Sequence, residues 1–242
     1  MRERLQSLSV IVPCFNEEQS LPALFERITE VAKNWPEEYE VVCIDDGSSD
    51  STVELLRRQH ESDPRWKVVI LSRNFGHQAA VSAGLEAVTG EVSVIIDADL
   101  QDPPELINDL IGKWQEGYDV VYAVRKKRKE GVFKRAAYFC FYRIMKSMAE
   151  IKDFPLDSGD FSLLDAKVVK TLVAFPEKNR FLRGLRAWSG FRQTGYEYER
   201  SARFAGEPKY TFKKLLRLAG DGLFAFSGVP LRLASFAGLF VS

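Results

Sequence analysis

Short apolar runs alternate with amphipathic segments along the first half of the chain. The apolar, largely β-branched runs lie at 9–13, 40–45, 67–71, 92–97 and 119–124. The amphipathic segments between them begin near Ser20, Ser51, Gly76 and Pro103. Strands that alternate with helices are typical of βαβ units, whose strands run parallel. The pattern therefore predicts an α/β fold in which helices flank a mostly parallel sheet.

Polar clusters follow three of the predicted strands. They read PCFNEE at 13–18, DDGSSD at 45–50 and DADLQD at 97–102. Ligands of open parallel sheets bind beyond the carboxyl ends of the strands. We therefore expect the three clusters to meet in one crevice.

The periodic pattern weakens after residue 125. Residues 125–148 form a basic and aromatic stretch with helical spacing, which favours packing on the sheet or against a membrane. Residues 211–221 separate apolar from basic positions, as a helix lying in a membrane interface does. Residues 222–242 carry only one charged residue, Arg232. A span needs roughly 20 apolar residues, so this segment predicts the start of a transmembrane region or, alternatively, a buried terminal helix.

The charge distribution suggests an anionic partner. The net formal charge is zero, yet residues 1–120 hold 10 basic and 23 acidic side chains, and the remainder holds 24 and 11. A basic second half favours contact with lipid headgroups, nucleic acid or a phosphorylated substrate. The basic flank of 211–221 predicts that domain 1–210 lies on the cytoplasmic side of the cell membrane. The cysteines, Cys14, Cys43 and Cys140, show no metal or disulfide spacing and are predicted to be reduced.

Four carboxylates follow the fourth predicted strand. Asp102 and Glu105 fit a capping box around Pro103 at a helix start. Asp97 and Asp99 are not explained in that way. In an extended segment residues two apart face the same side, so both carboxylates could hold Mg²⁺ or Mn²⁺, with a neutral oxygen from Gln101. A solvated turn is the alternative interpretation of this Asp pair.

The second cluster also divides into a structural and a chemical part. Ser51 and Glu54 fit a second capping box. Asp45 and Asp46 remain, and a carboxylate at a strand end can accept hydrogen bonds from a ribose hydroxyl or a nucleobase N–H. The chain contains neither GxGxxG nor GxxxxGK[ST], so a bound diphosphate would need a metal and basic side chains. The candidates are Arg125, Arg200, Arg203 and Lys209, with plain surface charge as the alternative.

Six ordered motifs resemble family 2 glycosyltransferases with a GT-A fold. They are SVIVPCFNEE, VVCIDDGSSDST, LSRNFGHQAAVSAGLEAVTGE, IIDADLQDPPE, DSGDFSLLD and RFAGEPK, and the similarity extends from residue 7 to about 210. Within that family the chain is similar to polyisoprenyl-phosphate glycosyltransferases, the group of bactoprenol glucosyltransferases and dolichol-phosphate mannose synthases. Two positions depart from the usual pattern: Phe15 stands where many relatives have Tyr, and Pro208 where many have Ser.

The resemblance implies a role for each matching residue. The implied donor-binding residues are Pro13, Phe15, Glu17, Asp45, Asp46, Asp97, Ala98 and Gln101, and Arg125 is added to them as the basic residue at the end of the fifth predicted strand. The implied metal ligands are Asp97, Asp99 and Gln101. The implied contacts to the acceptor phosphate are Arg203 and Lys209, and Arg200 is added to them as a neighbouring basic residue. Asp99 would be catalytic, and either Asp157 or Asp160 could act as a general base.

The implied reaction is the inverting transfer of a hexose, with UDP-glucose favoured as donor, to a polyprenyl phosphate in the membrane. The chain could also act as a homo-oligomer, and no nucleic acid is expected as a partner. Three alternatives remain. A glycosyltransferase acting on a glycan hydroxyl would share the donor motifs, and a membrane-attached protein could bind nucleotide sugars without catalysis. A sugar-1-phosphate nucleotidyltransferase should have a glycine-rich loop after the first strand, and PCFNEE contains no glycine.

Overall fold

The computed structural model describes residues 2–125, 158–177 and 180–199. The strands are β1 Ser7–Cys14, β2 Glu38–Asp45, β3 Trp66–Ile70, β4 Val92–Ile95, β5 Val120–Arg125, β6 Ser158–Asp165 and β7 Gln193–Tyr198. The helices are α1 Leu21–Val31, α2 Thr52–Ser62, α3 His77–Ala87, α4 Leu106–Gln115, α5 Ala166–Ala174 and α6 Leu182–Trp188, with a 3-10 turn at Ala32–Asn34. All five strands and four helices expected before residue 126 are present.

The described strands form one seven-stranded sheet in the order β3-β2-β1-β4-β6-β5-β7. β1 pairs in parallel with β2 and β4, β2 with β3, and β5 with β7. β6 runs antiparallel to both of its neighbours, β4 and β5. The predicted α/β class with a mostly parallel sheet is confirmed, and the sheet is mixed because the DSGDFSLLD segment forms a reversed strand that the sequence pattern did not predict.

Apolar positions alternate between the two faces of the central strands. Val10 and Val12 of β1 pack in a layer with Leu24 and Ile28 of α1, and with residues of α4. Ile11, between the two valines, faces the opposite layer, which α3, α5 and α6 cover. Successive strand residues point to opposite faces. Both faces of the sheet are therefore buried, as the continuous apolar runs require.

The neighbouring positions of β2, β1 and β4 bring the three polar clusters to one edge of the sheet. Cys14 at the end of β1 is in register with Asp45 at the end of β2. β4 lies on the other side of β1, and its last residue, Ile95, pairs with Ile11. The three strands run in the same direction, so the expected crevice at their carboxyl ends is confirmed in its topology.

The opposite edge of the sheet is held by a buried carboxylate, Glu40. Its Oε1 accepts hydrogen bonds from the Ser9 hydroxyl at 2.6 Å and from the Thr89 backbone N–H at 2.8 Å. Its Oε2 pairs with the Lys67 ammonium group. Burial alone would raise the pKa of Glu40, but the bonds from Lys67, Ser9 and Thr89 lower it below its ordinary value. Glu40 thus joins three strands and the loop before β4 on the side away from the crevice.

Both predicted capping boxes are wrong. Asp102 does not cap a helix, because α4 begins only at Leu106 and its N-cap is Glu105, which makes no side-chain capping bond. Pro103 and Pro104 instead form a turn, whose carbonyls accept from Leu106 N and Ile107 N. Ser51 is the N-cap residue of α2 but also lacks a side-chain capping bond. Its N–H donates to Glu18 Oε2 at 3.0 Å. Glu18, in the loop before α1, is thus the acceptor that the capping box had predicted to be Glu54.

Several expectations lie outside the described residues. These are the helical stretch at 126–148, the interfacial helix at 211–221, the apolar segment at 222–242 and Cys140. Cys14 and Cys43 are free and buried, as predicted. In the ranges that the structure describes, no helix combines the length and the apolar character needed to cross a bilayer.

Candidate active site

The first two polar clusters are joined by hydrogen bonds between their loops. Asn16, with a positive φ of 52°, donates its N–H to Ser48 Oγ and accepts from Ser49 N through its side chain. Glu17 N donates to Thr52 Oγ1 at 2.8 Å. The Glu17 carboxylate accepts from Ser20 Oγ at 2.7 Å. PCFNEE and DDGSSD therefore form one rigid double loop at the ends of β1 and β2.

Asp45 and Asp46 have different surroundings, although both are buried. Asp45 Oδ2 accepts from the N–H groups of Gly47 and Ser48, both at 3.1 Å, while its Oδ1 has no hydrogen-bond partner in the described part of the chain. Asp46 accepts from the N–H groups of Phe75 at 2.7 Å and Gly76 at 2.9 Å. Asp46 therefore anchors the loop that precedes α3, a role that the sequence did not reveal.

The third cluster begins after β4 has ended. Asp97 and Asp99 lie in a loop and turn rather than in an extended strand, so the predicted strand to residue 97 is two residues too long. Asp99 is 8% exposed, and its Oδ1 accepts from Gln101 N at 3.1 Å. Leu100 has a positive φ of 57°, which turns the chain sharply beneath this loop. The relative position of Asp97 and Asp99 is set by this turn. The expectation that residues two apart in a strand face the same side therefore does not apply to them.

His77 connects the third cluster to β6. It is the first residue of α3, and its Nε2 lies 3.0 Å from Asp97 Oδ1. Its Nδ1 lies 3.7 Å from Asp160 Oδ2. Burial alone would lower the pKa of His77, but the hydrogen bond to Asp97 and the charges of Asp97 and Asp160 raise it to about 9. The imidazole is therefore protonated at neutral pH and lies between two candidate site carboxylates.

Asp160 is held by Arg183 from α6. The Arg183 guanidinium donates from Nε to Asp160 Oδ1 at 2.8 Å and from its terminal nitrogen to Oδ2 at 3.1 Å. Burial alone would raise the pKa of Asp160, but Arg183 and His77 hold it well below its usual range. A carboxylate with so low a pKa is a weak proton acceptor.

Arg186 lies one helical turn beyond Arg183 and is 3% exposed. Its guanidinium carbon is 5.2 Å from the centre of the Tyr122 ring, a cation–π arrangement. Burial lowers the pKa of Arg186 to about 10, partly opposed by the negative charge of Asp160. The side chain therefore stays cationic at neutral pH and adds positive charge behind Asp160.

Arg125 and Asp102 meet at the other side of β6. Arg125 ends β5 and is in register with Tyr198, the last residue of β7. The Tyr198 hydroxyl donates to Asp102 Oδ1, and the Arg125 guanidinium lies 3.8 Å from Asp102 Oδ2. Asp102 is thus a buried partner of two residues distant in sequence, which explains why it does not cap α4.

The structure thus brings most of the predicted site residues to the crevice edge of the sheet. Pro13 and Ala98 are buried, and Phe15, Glu17 and Gln101 are half-buried there. The predicted acceptor residues Arg200, Arg203 and Lys209, and the candidate base Asp157, lie outside the described residues.

In the described part of the chain, the sequence did not indicate four residues that lie beside the predicted site residues: His77, Arg183, Arg186 and Tyr198. For His77 a signal existed, because it is one of only two histidines in the chain and lies within a motif of the resemblance. For the two arginines and Tyr198 no local pattern indicates a partner. Their contacts join positions that lie 23 residues apart for Arg183 and Asp160, and 96 for Tyr198 and Asp102.

The residues after β4 fit a small divalent cation by their chemistry. Asp97, Asp99 and Gln101 offer only oxygen ligands, the type that Mg²⁺ and Mn²⁺ prefer. Among the described residues, no group of three or more His, Cys, Asp or Glu side chains is arranged to hold a metal. Mg²⁺ is commonly held by one or two carboxylates together with substrate phosphates. Two aspartates are therefore enough if the substrate supplies the remaining oxygens.

Comparison with known proteins identifies the class of enzyme. The family described as glycosyl transferase family 2 matches residues 9–173. An uncharacterized glycosyltransferase of Bacillus subtilis (strain 168), YkcC, is 50% identical over 235 residues, which cover 97% of this chain and 72% of that protein. The bactoprenol glucosyl transferase of Shigella phage SfX is 39% identical over 236 residues, which cover 97% of this chain and 77% of that protein.

A solved structure has the same fold. Glucosyl-3-phosphoglycerate synthase from Mycobacterium tuberculosis, in complex with Mn²⁺, UDP and glucosyl-3-phosphoglycerate, aligns with a TM-score of 0.59 at 17% identity, covering 89% of this chain and 76% of that one. This likeness supports a GT-A type of fold. The chain is a glycosyltransferase. It belongs to glycosyl transferase family 2 and is related to the bactoprenol glucosyl transferases.

Proposed function

We propose that this glycosyltransferase transfers a hexose, with glucose from UDP-glucose as the favoured donor, to a polyprenyl phosphate with inversion at the anomeric carbon. The observation that carries the proposal is the convergence of three polar clusters at the crevice, in a chain that is similar over 97% of its length to a bactoprenol glucosyl transferase. UDP and Mn²⁺ accompany the similarly folded Mycobacterium tuberculosis synthase, which supports a nucleotide donor and a divalent ion.

The double loop formed by PCFNEE and DDGSSD is proposed to hold the nucleoside. Pro13 and Phe15 offer apolar surface to it. Asp45 Oδ1 has no hydrogen-bond partner among the described residues, and an unpaired buried acceptor costs about 1–3 kcal/mol. A hydrogen bond from a nucleoside N–H to Asp45 Oδ1 would remove that cost. Glu17 and Asp46 are assigned to the same site, where their present bonds make the loops rigid.

Asp97, Asp99 and Gln101 are proposed to hold Mg²⁺ or Mn²⁺. When bound, the ion stabilises the negative charge that develops on the departing nucleoside diphosphate. Arg125, at the end of β5, supplies a fixed positive charge for the same diphosphate. Asp99 is assigned a catalytic role, so its replacement is expected to stop sugar transfer. Its carboxylate is buried and is therefore held in one position in the turn.

The acceptor needs positioning more than it needs a base. A phosphate monoester has a second pKa of about 6, so its oxygen is largely ionised at neutral pH and can attack without losing a proton. Asp160 carries a depressed pKa and a two-bond contact with Arg183, which favours a role in positioning. Arg200, Arg203 and Lys209 remain the proposed contacts to the acceptor phosphate, and Asp157 remains the other candidate base.

We assign the enzyme to the cell membrane, with its catalytic domain on the cytoplasmic side. The bactoprenol acceptor named for its relatives is a membrane lipid, and the sequence after residue 210 has the basic and apolar character of a membrane attachment. These features support an acceptor phosphate at the bilayer surface, within reach of a cytoplasmic nucleotide sugar.

A transfer assay tests the proposal. Radiolabelled UDP-glucose and a panel of other UDP- and GDP-sugars are incubated with undecaprenyl phosphate and Mg²⁺ or Mn²⁺, and the product is extracted into butanol. We expect label in the organic phase, dependent on the lipid phosphate and lost after alkaline phosphatase has converted the acceptor to the alcohol. Label that moves only to an added glycan would support the hydroxyl-acceptor alternative. Donor binding without any transfer would support a non-catalytic role.

A further inference from the structure

Asp102, the last carboxylate of the DADLQD cluster, contacts residues of β5 and β7. It is 1% exposed. One of its oxygens accepts from the Tyr198 hydroxyl, and the other faces the Arg125 guanidinium at 3.8 Å. A buried carboxylate is stable only when it is paired. Asp102 therefore depends on two residues that the fold, and not the sequence, brings to it.

Arg125 reaches Asp102 by crossing β6. A Cβ atom added to Gly159 of β6 would lie 3.3 Å from the terminal nitrogen of Arg125, so the absent side chain leaves room for the guanidinium. Arg125 Nε lies 3.4 Å from the Tyr198 oxygen. The side chain is 39% exposed, so part of it faces solvent. Arg125 is thus held on one side and accessible on the other.

Tyr198 keeps this arrangement fixed. Its ring packs edge-on against Phe161, with ring centres 6.2 Å apart. Burial and the negative charge of Asp102 raise the pKa of Tyr198 to about 12, so the phenol stays protonated and remains a donor. The hydroxyl thereby bonds to one Asp102 oxygen, and the Arg125 guanidinium faces the other.

We propose that Asp102 and Tyr198 are positioning residues that hold the Arg125 guanidinium toward the diphosphate of the nucleotide donor. The inference rests on the proposed function, because it takes a nucleoside diphosphate as the ligand. A free arginine side chain would lose rotamer entropy on binding. Holding it in advance removes part of that cost, and a planar guanidinium fits phosphate oxygens only in a defined orientation.

A double-mutant cycle on nucleotide binding tests this role. Affinities for UDP and for uridine are measured by calorimetry with Mn²⁺ present, in the full chain and its Asp102→Asn, Tyr198→Phe and Arg125→Gln variants. We expect Asp102→Asn and Tyr198→Phe to weaken UDP binding by roughly 10-fold and uridine binding by less than about 2-fold. In the Arg125→Gln background the same changes should weaken UDP by less than about 2-fold, because their effect passes through Arg125.

Tyr196→Phe is the matched control. Tyr196 lies on the same strand, and its hydroxyl bonds to Asp109 of α4 instead of Asp102. We expect this variant to bind UDP as the unchanged protein does. Tyr198→Phe keeps the ring that packs on Phe161, so it still tests the inference if Asp102→Asn does not fold.

Three results would contradict the inference. Equal losses for UDP and uridine would indicate a merely structural role, as would losses that persist undiminished in the Arg125→Gln background. Full UDP affinity in Asp102→Asn and Tyr198→Phe would also overturn it. A protein that shows the expected coupling but transfers no sugar to undecaprenyl phosphate would contradict the proposed function alone. Absence of any nucleotide binding by the unchanged protein would overturn both.

Discussion

His77 Nε2 lies 3.0 Å from Asp97 Oδ1, so the first residue of α3 contacts the aspartate proposed to bind the metal. Its other ring nitrogen faces Asp160 on β6. The imidazolium thus lies between two negative groups, one in the loop after β4 and one on β6. A cation bound by Asp97 would compete with this contact. His77 is therefore expected to affect both the stability of the metal-free protein and its affinity for metal.

The first prediction concerns pH. The pKa of His77 is about 9 in the folded protein and about 6.5 in an unfolded chain. Its contribution to stability is therefore complete below about pH 6.5 and is lost as the pH rises through about 9. Urea unfolding in chelator at pH 6 to 9.5 should show this decline in the unchanged protein and not in His77→Gln.

His60→Gln serves as the control for that series. The His60 ring bonds to the Trp66 carbonyl at 2.6 Å. Trp66 begins β3, at the end of the sheet away from the crevice. The decline should persist in this variant. An identical pH dependence in His77→Gln and the unchanged protein would show that the raised pKa of His77 does not contribute to folding.

The second prediction concerns the metal. Asp99→Asn removes a charge but keeps the shape of the side chain and its bond with Gln101 N. We expect sugar transfer to fall by at least about 100-fold, with a melting temperature close to that of the unchanged protein. Chelator should have a similar effect, reversed by added Mn²⁺. Asp109→Asn, on the exposed side of α4, should leave transfer unchanged.

Full transfer by Asp99→Asn, or full transfer in chelator, would contradict the metal role. A calorimetric Mn²⁺ titration gives a readout that does not require turnover. We expect weaker Mn²⁺ binding by Asp99→Asn in the presence of UDP, and unchanged binding by Asp109→Asn.

The third prediction concerns the edge of the sheet away from the site. Glu40→Ala leaves the Ser9 hydroxyl and the Thr89 N–H without their buried acceptor. We expect the free energy of unfolding to fall by about 2–4 kcal/mol, measured by urea denaturation. Glu38→Ala changes an exposed carboxylate on the same strand and should cost less than about 0.5 kcal/mol. Similar losses of unfolding free energy in the two variants would contradict the stabilising role assigned to Glu40.

The fourth prediction concerns a turn in the loop proposed to hold the nucleoside. Gly47 has a positive φ of 71°, and a Cβ atom there would lie 2.5 Å from the Arg73 carbonyl carbon. Gly47→Ala should therefore lower stability by more than about 1 kcal/mol and displace the loop that Asp46 anchors. Gly112→Ala in α4 is the matched substitution, because a Cβ there has nothing within 4 Å. It should stabilise the protein by about 0.5–1 kcal/mol, and equal destabilisation by both would contradict the argument.

The linear pattern was sufficient to predict the five strands and four helices before residue 126. Periodicity within a few residues decides which side chains one element can bury, and this information is local. The alternation of strands and helices also predicted that β1, β2 and β4 run parallel, because strands joined through a helix in a βαβ unit have the same direction. The polar clusters could thus be assigned to one edge of the sheet before any contact was known.

The partners of individual charged groups depended on the packing of the sheet. Asp102 fitted a capping box by spacing, yet it pairs with Tyr198 and Arg125 because β6 lies between β4 and β5 and brings β7 into reach. His77 reaches Asp97, and Arg183 reaches Asp160, because α3 and α6 pack on the same face of the sheet. A buried charge pairs with the partner that the fold brings near it, because leaving the charge unpaired costs more free energy than a helix cap contributes. The spacing of residues along the chain therefore does not predict which partner a buried charge has.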